Sequence, residues 1–510
     1  MKSRLIRSLG AAVVLPAVLG ALAAPAHAST TESIVQFGPG VTEAAGRAAV
    51  QAAGGRVTRD LHLIHAVGAA LDRAAAQRLS DDPAVAQVSA AARVHSNRVH
   101  RVEADNVATS YGLSVAASKL WNSGDELTGA GVGVAVIDTG IAGDLPDFRV
   151  SDTDATSRVV AAVVTNPDAT TATDTYGHGT HVAGILAGNG NNRPAGDPLR
   201  GKYVGVAPEA NLVSIKAGDD DGNASVIDVI YGIQFAVDHA AEYNIRVINL
   251  SLEAATAQSY TTDPLDAAVE SAWFKGIVVV AAAGNRGTAP DAVEYAPGND
   301  PYVISVGAAD DKGTKDINDD DPASWGSLGT TQDGFAKPEV IAPGAHIIST
   351  LAPDSAFTRL CPDCVRDGGY FQAGGTSMAT PVVAGVVAQM LQKHPDWTPD
   401  QVKGALVKTA RGLSHGRKNL REVAADKATG AKWEANAGLT PNTYVNPANG
   451  EIDYTKATWT KATWTGAADL LKATWTKATW TCACDAAPSA EVDPTKATWS
   501  KATWSTSWTK

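Results

Sequence analysis

Val132-Gly133-Val134-Ala135-Val136-Ile137-Asp138-Thr139-Gly140 is an apolar run that stops on an acid and a glycine. A short apolar run bounded by turn residues is the pattern of a strand buried on both faces. The pattern returns at Leu212 to Ile215, Val247 to Leu252, Ile277 to Ala282 and Val303 to Val306, with helical stretches between. The clearest helix is predicted over Val226 to Ala241, where Val226, Ile227, Ile230, Ile233, Phe235 and Val237 are apolar. Strands alternating with helices imply an α/β fold, a doubly wound and mostly parallel sheet covered on both faces. Asp138 then ends its strand at the edge where such sheets hold ligands.

Two further strings add chemistry to that acid. His178-Gly179-Thr180-His181-Val182-Ala183-Gly184 and Gly375-Thr376-Ser377-Met378-Ala379-Thr380-Pro381 each set a reactive side chain beside glycine at the start of an apolar helix. Singly, each has a plainer reading. Asp-Thr-Gly can be a polar turn, His178 and His181 at three-residue spacing could serve a metal, and Ser377 could be an N-cap. No third ligand with suitable spacing stands near the histidines. Together the strings supply what acyl transfer needs: a nucleophile, a base for its proton, and an anion to orient the base. Pro381 is expected within the first helical turn, where a missing N–H costs nothing. A fourth string, Gly276 to Asn285, reads as a buried strand ending in a glycine turn that exposes the Asn285 amide.

The order Asp, His, Ser separates the candidates, because chymotrypsin-like enzymes run His, Asp, Ser and α/β-hydrolases run Ser, acid, His. With these flanks the chain resembles the subtilisin family (subtilases, peptidase S8) of secreted serine endopeptidases. Val204 to Pro208, Val247 to Leu252, Val303 to Ala308 and Lys337 to Gly344 extend the resemblance over roughly three hundred residues. It implies Ser377 as nucleophile, His178 as base, Asp138 as the orienting acid and Asn285 at the oxyanion hole. It implies that Ser251 and Leu252 pair with the substrate backbone as an added strand, with Glu253 and Gly284 beside them. The family follows this stretch with two glycines; here stand Glu253-Ala254-Ala255, which alters the first specificity pocket. Arg286 and Glu294 oppose each other in charge, so no preferred cleavage residue follows. No cofactor is implied for catalysis. Structural calcium is implied, with Asp147 as a ligand, although the partner loop with Asn189, Asn191 and Asn192 is lengthened. The acidic runs Asp219 to Asp221 and Asp316 to Asp321 read better as solvated turns than as calcium sites. A sedolisin with a glutamate base is disfavoured by the complete histidine string.

The remaining segments organise the chain into four parts. Residues 1–28 read as a secretory signal peptide: Lys2, Arg4 and Arg7 precede an apolar stretch to Ala24, and Ala26-His27-Ala28 suits cleavage before Ser29. The expected product is a soluble, extracellular protein without a membrane span. Residues 29–103 show the order β-α-β-β-α-β of a small α+β, ferredoxin-like module. This module resembles the inhibitory propeptide of subtilases, which implies a zymogen that cuts itself between about Arg93 and Gly112; a permanent binding domain is the alternative. Residues 104–425 form the catalytic part. Residues 426–510 form an extension in which Lys-Ala-Thr-Trp starts at Lys456, Lys461, Lys472, Lys477, Lys496 and Lys501.

A five-residue step fits no helix, and Thr and Trp favour strands, so extended structure is expected in this tail. Seven of the twelve tryptophans lie within or after these repeats. Exposed, they would contact glycan, cell envelope or a protein; otherwise they cover the catalytic domain or leave as a removable extension. Cys361, Cys364, Cys482 and Cys484 point to disulfides, either within each close pair or between pairs, rather than to zinc. A net charge of -12 argues against nucleic acid as partner. Protein or peptide substrates and the chain's own propeptide are the partners implied. The competing class is a catalytically inactive protease fold that binds or adheres through the tryptophan tail.

Overall fold

The computed structural model describes residues 30–38, 40–61, 65–90, 107–413, 420–452 and 472–475. The signal segment, the chain from 91 to 106, Cys482, Cys484 and all but one of the tail repeats lie outside the described residues. The chain divides into two units, Met1–Ser96 and Asn97–Lys510.

In the first unit β1 (Thr31–Phe37), α1 (Glu43–Ala52), β2 (Arg56–Leu61), β3 (Ala66–Leu71), α2 (Arg73–Ser80) and β4 (Val85–Ala90) follow in the expected order. The strands form an antiparallel sheet, β2-β3-β1-β4. Its apolar face, with Val35, Phe37, Val67 and Leu71, packs against Val50, Ala75 and Leu79 of the helices. Asp72 caps α2 by accepting from the Ala75 N–H at 2.7 Å.

The second unit is a doubly wound α/β domain. Its strands are β5 (Gly133–Asp138), β6 (Val159–Val164), β7 (Asn211–Lys216), β8 (Ala224–Ser225), β9 (Ile245–Leu250), β10 (Leu252–Ala254), β11 (Val278–Ala282), β12 (Ile304–Asp310) and β13 (Val340–Pro343). The main sheet runs β13-β12-β11-β9-β5-β7-β6 with every one of these pairs parallel, and short strands extend it beyond β13. β5, β7, β9, β11 and β12 are almost wholly buried, which explains why they read as continuous apolar runs rather than alternating ones. β5 is flanked by β7 and β9, so the strand order reverses at β5 and the crevice opens beyond its last residue, Asp138.

The helices that matter most are α3 (His178–Ala187), α4 (Val226–Asp238), α5 (Pro264–Phe274), α6 (Thr376–Lys393) and α7 (Pro399–Thr409). α4 starts on a capping box, in which Ser225 Oγ accepts from the Asp228 N–H and Asp228 Oδ2 accepts from the Ser225 N–H. It ends at Asp238, three residues before the predicted end. Pro381 also departs from expectation. It is the sixth residue of α6, beyond the first turn, so the helix lacks the bond its N–H would give to the Ser377 carbonyl. The Ser251 hydroxyl donates to that carbonyl instead, at 2.9 Å.

Residues 425–452 remain on this body. The Asn442 N–H donates to Glu270 Oε2 at 2.7 Å and the Tyr302 hydroxyl donates to the Leu439 carbonyl at 2.9 Å. α7 is tied to the sheet by a buried charge cluster: Glu339 Oε1 accepts from Lys337 Nζ at 2.6 Å and from Lys403 Nζ at 3.1 Å. Burial alone would raise the Glu339 carboxyl, but the two ammonium groups hold it below its ordinary range. Among the described residues no helix is long and apolar enough to cross a membrane. Glu339→Gln leaves two buried ammonium groups without their counter-charge; the urea midpoint, measured on a Ser377→Ala background to exclude self-digestion, is expected to fall by the equivalent of about 3–5 kcal/mol.

Candidate active site

β5 delivers Asp138 to the crevice and α3 opens on His178. His178 Nδ1 lies 2.7 Å from Asp138 Oδ1, and both side chains are fully buried. A carboxylate only accepts, so the proton of this bond belongs on Nδ1 and Nε2 is left as the basic nitrogen. The approach depends on glycine. A Cβ at Gly179 would stand 2.2 Å from the Gly140 carbonyl oxygen and 3.1 Å from Asp138 Oδ1, and Gly177, before the helix, has φ +113°.

A second buried carboxylate, Asp174, holds this helix start, and the motif reading missed it. Its Oδ1 accepts from the Gly177 N–H at 2.7 Å and the Thr139 hydroxyl at 2.9 Å, and its Oδ2 from the Thr180 N–H at 2.8 Å. Thr139 Oγ1 in turn accepts from the Gly179 N–H at 2.9 Å. Asp174 therefore binds the Asp138 turn and the His178 helix into one network, with its oxygens on the amides of a helix N-terminus. Burial pushes its carboxyl up, against the pull of the Gly177 and Thr180 amides. An acid four residues before His178 was the available signal.

The nucleophile candidate and the predicted groove are bonded reciprocally. Ser377 Oγ donates to the Ser251 carbonyl at 3.1 Å, while Ser251 Oγ donates to the Ser377 carbonyl. Asn285 Oδ1 accepts from the Thr376 N–H at 2.9 Å and from the Thr376 hydroxyl at 3.0 Å. These two bonds hold the amide oxygen on Thr376, the first residue of α6. The predicted residues thus fall in two bonded groups, Asp138 with His178 and Ser377 with Ser251, and Asn285 is bonded to the neighbour of Ser377.

Leu252 and Glu253 lie on β10, next to Ser251. Gly284 has φ +101°, and a Cβ there would meet Glu253 Oε2 at 2.4 Å and Ser327 Oγ at 2.8 Å. Arg286 is matched to Glu253 rather than to Glu294: its Nε donates to Glu253 Oε1 at 3.1 Å, and its guanidinium lies 3.8 Å over the Tyr295 ring. The charge that replaces the family's first glycine is therefore compensated within the groove wall.

His178 and His181 share a helix but face different partners. His181 Nε2 donates to the Phe371 carbonyl at 2.9 Å, beside the rings of Phe357 and Phe371, and burial pulls its pKa down to about 3. Asp147 does not sit in an oxygen cage fit for calcium. Its Oδ1 accepts from the Asn192 N–H at 2.8 Å and the Tyr370 hydroxyl at 3.2 Å, and its Oδ2 from the Thr350 hydroxyl at 2.6 Å. These donors present hydrogens where a calcium ion needs lone pairs. Asn189 and Asn192 spend their side-chain amides on the Arg149 and Gly369 carbonyls. Burial raises the Asp147 carboxyl to about 6. Among the described residues no group of three or more His, Cys, Asp or Glu could hold a metal ion. Cys361 and Cys364 are disulfide-bonded, which selects the local bridge for this pair.

Residues 129–438 match the model of the Subtilase family. Serine protease AprX of Bacillus subtilis is 39% identical over 296 residues, 57% of this chain and 63% of that protein. Subtilisin NAT of Bacillus subtilis subsp. natto is 36% identical over 368 residues, covering 71% of this chain and 80% of its own length. Subtilisin of Bacillus pumilus is 37% identical over 309 residues, 59% of this chain and 92% of that protein.

Asp174→Ala removes the anchor of the His178 turn without touching the reacting groups. It is expected to lower kcat for a peptide substrate by about ten- to hundredfold with KM little changed, whereas Asp174→Asn, which keeps an acceptor oxygen, recovers part of the loss. The neutral His181 sets a pH dependence of known sign. Between the ordinary histidine pKa of 6.5 and about 3, the unfolded chain binds a proton that the folded one refuses. The stability tied to it is complete above 6.5 and drains as pH falls. Urea midpoints of Ser377→Ala with and without His181→Gln should show slopes differing by up to about 1.4 kcal/mol per pH unit between pH 6 and 4.

Proposed function

We propose that this chain, which belongs to the subtilase family of serine endopeptidases, hydrolyses peptide bonds with Ser377 as nucleophile, His178 as general base and Asp138 as the anion that orients it. The observation that carries this reading is the buried 2.7 Å bond from Asp138 to His178 Nδ1, which leaves Nε2 as the nitrogen able to take a proton. Attack requires the Ser377 proton to turn from the Ser251 carbonyl to His178 Nε2. Oγ then bonds to the scissile carbonyl carbon, and the negative charge forming on its oxygen is received by the Asn285 NH2 and backbone amides at the start of α6. The imidazolium, stabilised by Asp138, returns the proton to the leaving amine, giving an acyl-enzyme. Water repeats the sequence and frees Ser377.

We also propose a secreted zymogen. Its support is the charged and apolar leader of residues 1–28 and a separate module over residues 29–103 with the element order of subtilase propeptides. The test compares casein hydrolysis and intact mass for secreted wild type, Ser377→Ala and Asn285→Ala. Wild type is expected to digest casein and to lose about seventy residues beyond the leader, Ser377→Ala to do neither, and Asn285→Ala to lose roughly 10²–10³ in kcat. Full-length products from both wild type and Ser377→Ala, with no hydrolysis, would overturn the proposal.

A further inference from the structure

One repeat of the tail lies within the described residues. The strand Lys472–Trp475 is the middle of a three-stranded antiparallel sheet, with β10 on one side and β8 on the other. Opposite β10 the register sets Trp475 against Leu252, Thr474 against Glu253 and Ala473 against Ala254. Opposite β8 it sets Lys472 against Ser225 and Ala473 against Ala224. β10 is an edge strand with one side already used, since the Ala254 N–H donates to the Ala296 carbonyl at 2.7 Å. An open edge of this kind recruits an extended chain through its main-chain groups.

The direction of the strand gives the contact its meaning. β10 begins one residue after Ser251, whose carbonyl accepts from Ser377 Oγ. The tail strand runs antiparallel to β10 and reaches Leu252 at its last residue. Its carboxyl end at Trp475 is therefore directed along β10 toward Ser251, which accepts from the Ser377 hydroxyl, acyl side first, as in a bound substrate. Leu252 and Ser377 are both fully buried. We propose that the Lys-Ala-Thr-Trp repeats are a built-in substrate mimic, one copy at a time lying in the groove of its own molecule and competing with substrate. The inference rests on the peptidase reading for the identity of the groove.

The repetition fits this role. Main-chain pairing is indifferent to most side chains, and six copies of one four-residue string, each followed by Thr or Ser, offer the same occupant whichever arrives. Residues 453–471, the chain between the body and Lys472, can span about 60 Å when extended, so the tether restricts little. Tethering also supplies the copies at an effective concentration on the order of millimolar.

The test uses the full chain with Ala457, Ala462, Ala473, Ala478, Ala497 and Ala502 all changed to Pro, because proline removes an N–H that a middle strand must donate. First, hydrogen exchange is followed at the Ala224 and Glu253 amides, which face the tail strand, on a Ser377→Ala background. These amides are expected to exchange at least about tenfold faster in the proline variant; equal rates overturn the proposal. Second, peptide hydrolysis is compared in the active chains, with intact mass recorded to show that both keep their tails. KM for a short chromogenic peptide should fall by about tenfold or more with kcat unchanged; an unchanged KM overturns it. If exchange differs while neither chain hydrolyses any peptide, the contact stands and the peptidase reading falls.

Discussion

Pro381 leaves the Ser377 carbonyl without a helical donor, and the Ser251 hydroxyl supplies one while the Ser251 carbonyl accepts a hydrogen bond from the Ser377 hydroxyl. A buried carbonyl left unpaired costs about 1–3 kcal/mol, so this exchange constrains both partners. The start of α6 cannot shift without breaking a bond to Ser251, and Ser251 cannot shift without disturbing the Ser377 hydroxyl. A helix defect thereby becomes the link between the proposed nucleophile and the strand beside it.

The first turns of α3 and α6 are the starts of two helices, one bearing His178 and the other Ser377. Their positive ends suit an anion, and each is met differently. At α3 the partner is built in: Asp174 accepts from the amides of that turn, so the helix that bears the histidine is held by acceptors already present. At α6 the partner is neutral: the Thr376 amide is met by the Asn285 side-chain oxygen, and on the proposed mechanism negative charge arises there only while a carbonyl is under attack. Buried histidine follows the same economy: His181, given a carbonyl partner and aromatic neighbours, stays neutral, whereas His178 faces a carboxylate.

Much of this was legible in the sequence because it is local. The five apolar runs became strands since a parallel sheet buries both faces of each strand, and glycine flanked by acid or imidazole marked the turns where helices begin. What was not legible depends on partners distant in sequence. Arg286 stands near Glu294 along the chain but pairs with Glu253, thirty-three residues away. Asp147 looked like a calcium ligand until Thr350 and Tyr370, more than two hundred residues on, turned their hydroxyls toward it. The place of Pro381 was misjudged for a related reason. The helix starts at Thr376, five residues earlier, and its missing bond is tolerable only because Ser251 is there.

The sheet pairing of Lys472–Trp475 has an arithmetical consequence for its neighbour. Residues along a strand alternate between faces, and Lys472 and Lys477 are five positions apart, an odd number. In one unbroken strand the second copy of each pair would turn its lysine and threonine to the side where the first turns its alanine and tryptophan. Two adjacent copies cannot both be read in the same frame. On the proposal that one copy at a time is the occupant, the copy adjacent to it is out of phase.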